Sequence, residues 1–381
     1  MRPLGLYVHW PFCRRLCPYC DFTIAKARDV DVAAWTRAFT EDLKRMADLY
    51  EPRPLRSVYF GGGTPSLVPE PVAAAVLETA EALFGFEDDA EFTVEANPDD
   101  WERFELLKAL GFERLSLGIQ SLDDEELRFL GRNHDAAAAR HATEQALLVF
   151  SQVSLDFIYA LPEQSLQGWE RRLREICALG ASHLSLYQLT VEPETAFGRA
   201  AKRGTLVPMP DDNAADFYEL TQTVTADAGL PAYEISNHAN PGHEAKHNAL
   251  YWDDADWMGI GPGAAGRVGD GAQRLATEAV KRSVDYPSVP TNERIVVTEL
   301  SEHDHLLEVL GGGLRPVAGL DMSRLGSAAR SIMEEAQDLA SQAVVTIARD
   351  RIIVSEKGRL LTDYVAARLA SALPSSSSGA A

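Results

Sequence analysis

Leu6-Tyr-Val-His-Trp-Pro-Phe-Cys13-Arg-Arg-Leu-Cys17-Pro-Tyr-Cys20-Asp-Phe22 is the stretch on which the fold of this chain turns. Its first residues form a short apolar, β-rich run, Leu6–His9, that reads as a strand. Three cysteines follow at C-x3-C-x2-C spacing on a loop that ends before a helical stretch from Val32. Three thiolates on one short loop can reach three corners of an iron–sulfur cube. The fourth iron then has no protein ligand and stays open to a small molecule. Two other readings stand beside it. One is a structural zinc site, which normally wants a fourth protein ligand; His9 is at hand but lies inside the strand. The other is three cysteines with no metal. The remaining cysteine, Cys177, sits in the apolar stretch Glu175-Ile-Cys-Ala-Leu179 and reads as a small hydrophobe.

The whole chain has 381 residues, enough for two or three domains at roughly 150 residues each. Its formal net charge is −21, so it has no general attraction for phosphate backbones, and nucleic acid is excluded as a main partner. With 46% hydrophobic and 24% charged residues it is globular in composition. No apolar run approaches the roughly 20 residues of a membrane span, and the N-terminus lacks the apolar core of a signal peptide. The expectation is a cytoplasmic protein without a transmembrane segment, and peripheral membrane docking is left open. In that compartment clustered cysteines point to a metal or redox site.

Strand-like runs recur at Leu6–His9, Ser57–Phe60, Glu91–Ala96, Arg114–Ile119, Ser154–Tyr159 and His183–Gln188. Helical stretches lie between them: Val32–Tyr50, Glu70–Phe84, Asp99–Leu110, Asp123–Gly131 with Ala136–Phe150, and Leu166–Leu179. This β–α alternation predicts an α/β fold with parallel strands and right-handed crossovers. Gly61-Gly-Gly-Thr-Pro65, Glu95-Ala-Asn-Pro98, Gln120-Ser121 and Tyr187-Gln188 fall at the C-terminal ends of strands, the edge where such folds hold ligands. Their spread over four strands favours a barrel. After about residue 205 the pattern changes. Helix Asn213–Ala228 is followed by a stretch, 231–290, that reads as irregular. A small, mainly helical domain is expected over 291–373, with a β-hairpin of Val344–Ile347 and Arg351–Val354 and a helix Thr362–Ala372. The Ser-rich tail, 374–381, is expected to be disordered.

These motifs resemble the radical S-adenosylmethionine (SAM) family. The resemblance is closest to the branch of oxygen-independent coproporphyrinogen III oxidase and the HemW-type heme chaperones. It rests on Tyr7 through Phe22, Gly61–Pro65, Thr93–Pro98, Leu117–Ser121, Asp156–Pro162 and Leu186–Pro193, all in the same order. The fold it implies is a partial (β/α)6 barrel, residues 1–230, with the small C-terminal domain appended. It implies a 4Fe-4S cluster on Cys13, Cys17 and Cys20, whose open iron binds the amino and carboxylate groups of SAM and, when reduced, can cleave the sulfonium. The SAM contacts it implies are Tyr7, Gly62, Gly63, Thr64, Glu95, Gln120, Arg132, Asp156 and Ala265. For several of these plainer roles are also open: a tight turn, a core aromatic, a strand-end ion pair, a surface arginine or a buried cap.

The chain departs from the oxidase pattern at Phe22, where a fourth cysteine is associated with oxidase activity. Phenylalanine here is the chaperone pattern. His247-Asn248-Ala-Leu-Tyr251-Trp252 matches a motif associated with heme binding in that branch. Imidazole is a good axial ligand and aromatic faces suit a macrocycle. A structural loop with a hydrogen-bonded histidine and two core aromatics is the alternative. The acidic run Asp253-Asp254-x-Asp256 reads as a solvated face, and Gly259–Gly266 is not a dinucleotide fingerprint. The implied function is a heme chaperone that takes heme and SAM as ligands, with a heme-acceptor protein and an electron donor as partners. The alternative is SAM-dependent oxidative decarboxylation of coproporphyrinogen III. No catalytic residue is assigned.

Overall fold

The computed structural model describes residues 2–269 and 273–373; the tail expected to be disordered lies outside the described residues. Strands β1 (Leu4–Trp10), β2 (Leu55–Gly62), β3 (Phe86–Ala96), β4 (Arg114–Gln120), β5 (Gln152–Tyr159) and β6 (His183–Gln188) stand side by side in chain order, each parallel to the next. Chain-order neighbours with helices between them make the wall of a (β/α) barrel. A doubly wound sheet would instead reverse its strand order part-way.

The period-two pattern sets the faces. On β1, Leu4, Leu6, Val8 and Trp10 are at most 2% exposed and pack under the helices. Tyr7 and His9 face the interior. The helices that cover the wall are α1 (Val32–Leu49), α2 (Glu70–Phe84), α3 (Phe104–Ala109), α4 (Asp124–Phe129), α5 (Ala136–Val149), α6 (Leu166–Cys177), α7 (Ala196–Lys202) and α8 (Asp211–Asp227). In α1 the buried residues Trp35, Phe39, Leu43 and Met46 recur at helical spacing. Asp31 caps its first turn by accepting from Ala34 N at 3.0 Å, a contact worth about 1 kcal/mol. The single helix expected over Asp99–Leu110 is split into a 3-10 turn, Pro98–Arg103, and α3.

The stretch 231–290 is not irregular. It holds β7 (Asn237–Ala239), α9 (Lys246–Trp252), β8 (Asp256–Ile260), β9 (Ala265–Val268) and β10 (Leu275–Ala279). β8 lies parallel to β1 on its free side, making a seventh parallel strand. β9, β10 and β11 (Ile295–Glu299) extend that edge antiparallel, and β7 closes the other edge antiparallel to β6. Residues expected in the small domain therefore complete the main sheet. The acidic run is corrected too. Asp254 and Asp256 are buried, and both pair with Arg274, with Arg2 on Asp254 and Arg53 on Asp256. These cations let a charged sequence run sit under the sheet.

The C-terminal unit has a core of its own, from Leu306 to Leu373. It comprises α10 (Glu302–Gly313), α11 (Ala329–Ser341) and α12 (Thr362–Ala370) around a three-stranded sheet. β12 (Leu320–Asp321) pairs with β14 (Arg351–Val354), which forms the expected hairpin with β13 (Val345–Ala348).

Candidate functional site

The cysteine loop leaves the C-terminal end of β1 and is held by the turn at the end of β2. Gly63 N donates to Trp10 O at 2.7 Å and Thr64 N to Phe12 O at 3.0 Å. A side chain on Gly63 would stand 2.7 Å from the Pro11 carbonyl carbon, so only glycine allows this approach. Gly62 has φ +107°, a backbone region closed to most residues. Cys13 is buried, Cys17 and Cys20 are half-buried, and all are free thiols. All three line one cavity of about 440 Å³ in the mouth and interior of the barrel.

Burial pushes the Cys13 and Cys20 thiols up to about 11. They become thiolates when a cationic centre binds between them. Among the described residues no group of His, Cys, Asp and Glu side chains forms a ready-made cage for a metal ion. His9, the candidate fourth zinc ligand, has both nitrogens engaged, with Tyr7 OH at 3.0 Å and Thr23 O at 2.8 Å. A thiol-only set on one loop, facing a cavity, fits a cluster with one open corner better than a closed tetrahedral site.

The strand-end polar residues surround the same cavity. Glu95 Oε1 accepts from Tyr59 OH at 2.8 Å and Oε2 from Gly62 N at 3.0 Å. A carboxylate has about four acceptor positions, so Glu95 keeps capacity for a ligand donor. Burial above all pushes its pKa up to about 7. Arg132 donates to Cys17 Sγ at 3.6 Å, to Gly118 O at 2.8 Å and to Asn97 Oδ1. Asn97 in turn donates to Thr64 Oγ1 at 3.0 Å. A guanidinium is thus fixed beside Cys17, and its charge partly offsets the burial that raises the Cys13 thiol. Asp156 accepts from Ser116 at 2.8 Å and Ser154 at 3.2 Å, and burial raises it to about 6. Gln120 lines the cavity with φ +67°, a strained position for a side chain.

The structure brings Gly62, Gly63, Thr64, Glu95, Gln120, Arg132, Asp156 and Asn248 to the cavity wall with the three cysteines. Tyr7 and Ala265 do not line it. Tyr7 stacks on Tyr59 at 6.1 Å behind Glu95, and Ala265 is exposed at the start of β9. Phe22 lines the rim and is 61% exposed.

His247 is the main departure. Helix α9 packs against β1, β2 and β8 and carries the His247 ring into the N-terminal end of the barrel. The ring stacks on Tyr59 at 5.0 Å. Nδ1 is 2.8 Å from Ser57 Oγ, and Nε2 is 2.8 Å from Tyr251 OH. The residue is 1% exposed, and burial lowers its pKa to about 3. Neither nitrogen is free to bond iron in this arrangement. Tyr251 packs edge-on to His247 and Trp257, and Trp252 packs on Tyr233. The expected heme segment is, in this conformation, a plug in the barrel floor.

Residues not singled out from sequence also line the cavity: Thr93, Arg114, Ser116, Ser154, His183 and Ser185. Their signal is period two: polar residues at alternate positions of strands whose other face is apolar.

Residues 7–176 match the model of the Radical SAM superfamily. The chain is 36% identical to the heme chaperone HemW of Mycobacterium tuberculosis over 96% of its own length and 94% of the relative's. It is 31% identical to the heme chaperone HemW of Bacillus subtilis over 94% of its length and 97% of that protein's. It is 38% identical to the mitochondrial radical S-adenosyl methionine domain-containing protein 1 of Bos taurus, over 83% of this chain and 74% of that one. Among solved structures, coproporphyrinogen III oxidase (HemN) from Escherichia coli superposes with a TM-score of 0.80 at 23% identity, over 98% of this chain and 91% of that one, a likeness of fold. No helix of the described residues is long and apolar enough to cross a membrane. Full-length similarity, the cysteine loop and the chain-order parallel barrel agree, and the chain belongs to the radical SAM superfamily, in its HemN-like branch with the HemW proteins.

Proposed function

We propose that this chain is a heme chaperone of the cytoplasm that binds a 4Fe-4S cluster, SAM and heme and passes heme to an acceptor protein. The observation that carries the reading is its near end-to-end similarity to proteins named heme chaperones. Phe22 at the rim supports it against the oxidase alternative, because no thiol stands two residues after Cys20.

In this reading Cys13, Cys17 and Cys20 hold the cluster. Once held there and reduced by an electron donor, such a cluster would offer one-electron reducing chemistry toward the SAM sulfonium. The chain's own residues do the positioning. Glu95 accepts from the ligand's ammonium or ribose hydroxyls, with its second oxygen anchored by Gly62 N. The side-chain-free turn at Gly62 and Gly63 lets backbone groups approach the methionine moiety. Arg132 offsets the charge of the thiolates, and Gln120 and Asp156 extend the polar wall inward. His247, Asn248, Tyr251 and Trp252 act on heme from an opened state, in which α9 has left Ser57 and His247 Nδ1 is released while Nε2 stays with Tyr251 of the same helix.

The test supplies cluster-reconstituted protein with SAM, a reductant and coproporphyrinogen III, and separately titrates it with hemin. The reading expects saturable hemin binding and no decarboxylation. Decarboxylated product would establish the oxidase instead, and absence of hemin binding would remove the chaperone function.

A further inference from the structure

The C-terminal unit grips both ends of one stretch of the main body, residues 233–254, the stretch that carries α9. At its start, Val317 N donates to Tyr233 O at 2.9 Å. Beside it Arg315 Nη2 donates to Glu234 Oε2 at 2.9 Å, and that carboxylate is fully buried. At its end, Arg324 Nη1 donates to Trp252 O and Nη2 to Asp253 Oδ1, both at 3.1 Å. One residue further on, His305 Nε2 stands 2.9 Å from Asp254 Oδ1.

Between these grips the end of α10 lies directly on α9. A side chain at Gly312 would stand 3.0 Å from Tyr251 O and 3.6 Å from Trp252 Cα. Gly312 is the middle of Gly311-Gly312-Gly313, the last residues of α10. Glycine is a poor helix former, so this run weakens α10. At Gly312 it lets two backbones meet, whereas a side chain at Gly311 would face open space. Helix α9 has seven residues, too few to hold its shape alone. Its place is set from outside: by Glu91, which accepts from His247 N at 3.1 Å, and Ser57 on the barrel side, and by the C-terminal unit on the other.

The apolar cores of the barrel and of the C-terminal unit are separate. The grips on 233–254 are polar and backbone contacts, and an interface of that kind parts without unfolding either side. Arg267 on β9 donates to Glu308 on α10 at 2.9 Å, at the sheet edge from which β11 leads into the unit. That edge is the natural pivot.

We infer that the C-terminal unit is a clamp on α9: it holds the helix shut against the barrel floor, and its release opens the stretch that carries His247. The effect on heme, though not the clamp itself, rests on the action proposed above for α9. A closed clamp lowers the apparent hemin affinity by the fraction of molecules that are open.

Hydrogen exchange of the α9 amides and hemin titration, both on cluster-reconstituted full-length protein, test the clamp with a matched pair of variants. Gly311→Ala and Gly312→Ala make the same change at adjacent positions and raise the helix propensity of α10 alike. Only the second sets a methyl against α9. Gly312→Ala should speed exchange across 246–252 and tighten hemin binding, each roughly fivefold, the worth of about one hydrogen bond. Arg324→Ala should do the same, and Gly311→Ala should do neither. Unchanged α9 exchange in Gly312→Ala and Arg324→Ala, or equal effects of the two glycine variants, would overturn the inference. Faster exchange with unaltered hemin affinity would uphold the clamp and remove the heme role of α9 instead.

Discussion

Ser57 Oγ and His247 Nδ1 lie 2.8 Å apart in the floor of the barrel, on β2 and α9. With Tyr251 OH on the other nitrogen, this bond occupies the imidazole completely. Ser57→Ala removes one of the two restraints on the ring. The variant should lose about 1 kcal/mol of stability. It should bind hemin more tightly than wild type, because the closed state competes with ligation. Thermal melts and hemin titrations of the two proteins check both.

Glu95 makes the ligand-free protein sensitive to pH. Its folded pKa, about 7, lies above the ordinary value of 4.5. The fold therefore favours the protonated form. Stability is full below about 4.5 and falls as pH rises through 7, by about 3 kcal/mol at the limit. Glu95→Gln carries no such charge. Its melting temperature should gain on wild type between pH 5 and pH 8 in the absence of SAM, while its SAM affinity falls. Parallel melting curves across that range would refute the assignment.

Gly63 is the close-approach point between the β2 turn and the cysteine loop. Gly63→Ala forces a methyl to within 2.7 Å of Pro11 backbone, and neither side can yield without moving Cys13. The expected cost is about 1–3 kcal/mol. Iron retention should fall out of proportion to the loss of helical signal, because the displaced element is the loop itself. Iron analysis beside circular dichroism measures it.

Arg274 sits 1% exposed between Asp254 and Asp256. Arg274→Ala leaves Asp254 to Arg2 and His305 and Asp256 to Arg53, and the loss of its charge-assisted hydrogen bonds should cost about 1.5–3 kcal/mol. The variant should melt well below wild type, and adding Asp256→Asn should recover part of the difference. A melting temperature within a degree of wild type would show that the ion pairs contribute nothing.

The barrel wall was legible from sequence because its code is local. Each strand from β1 to β6 contains a short apolar run, though β3 also takes in the acidic stretch from Phe86 that did not read as strand, and Asp31 and Ser165 mark helix starts as N-caps. Gly62 and Glu95 were legible at the cavity wall because they fall at the ends of strands, and Asp156, in the middle of β5, only through the motif that carries it. β8 was not legible. Its five residues are flanked by aspartates and glycines, and the acids are tolerable only because Arg2, Arg53 and Arg274 arrive from distant parts of the chain. The burial of His247 was hidden for the same reason: its partner Ser57 is 190 residues away. Tyr7 and Ala265 lie near the site in chain order of motifs yet outside the cavity wall, a distinction only the packing makes.

Anaerobic reconstitution followed by iron and acid-labile sulfide analysis tests most directly whether Cys13, Cys17 and Cys20 hold an iron–sulfur cluster. One 4Fe-4S cluster per chain is expected in the wild-type protein, and its loss in a folded Cys20→Ala variant. Zinc in place of iron, no labile sulfide, or an unchanged cluster in Cys20→Ala would contradict it.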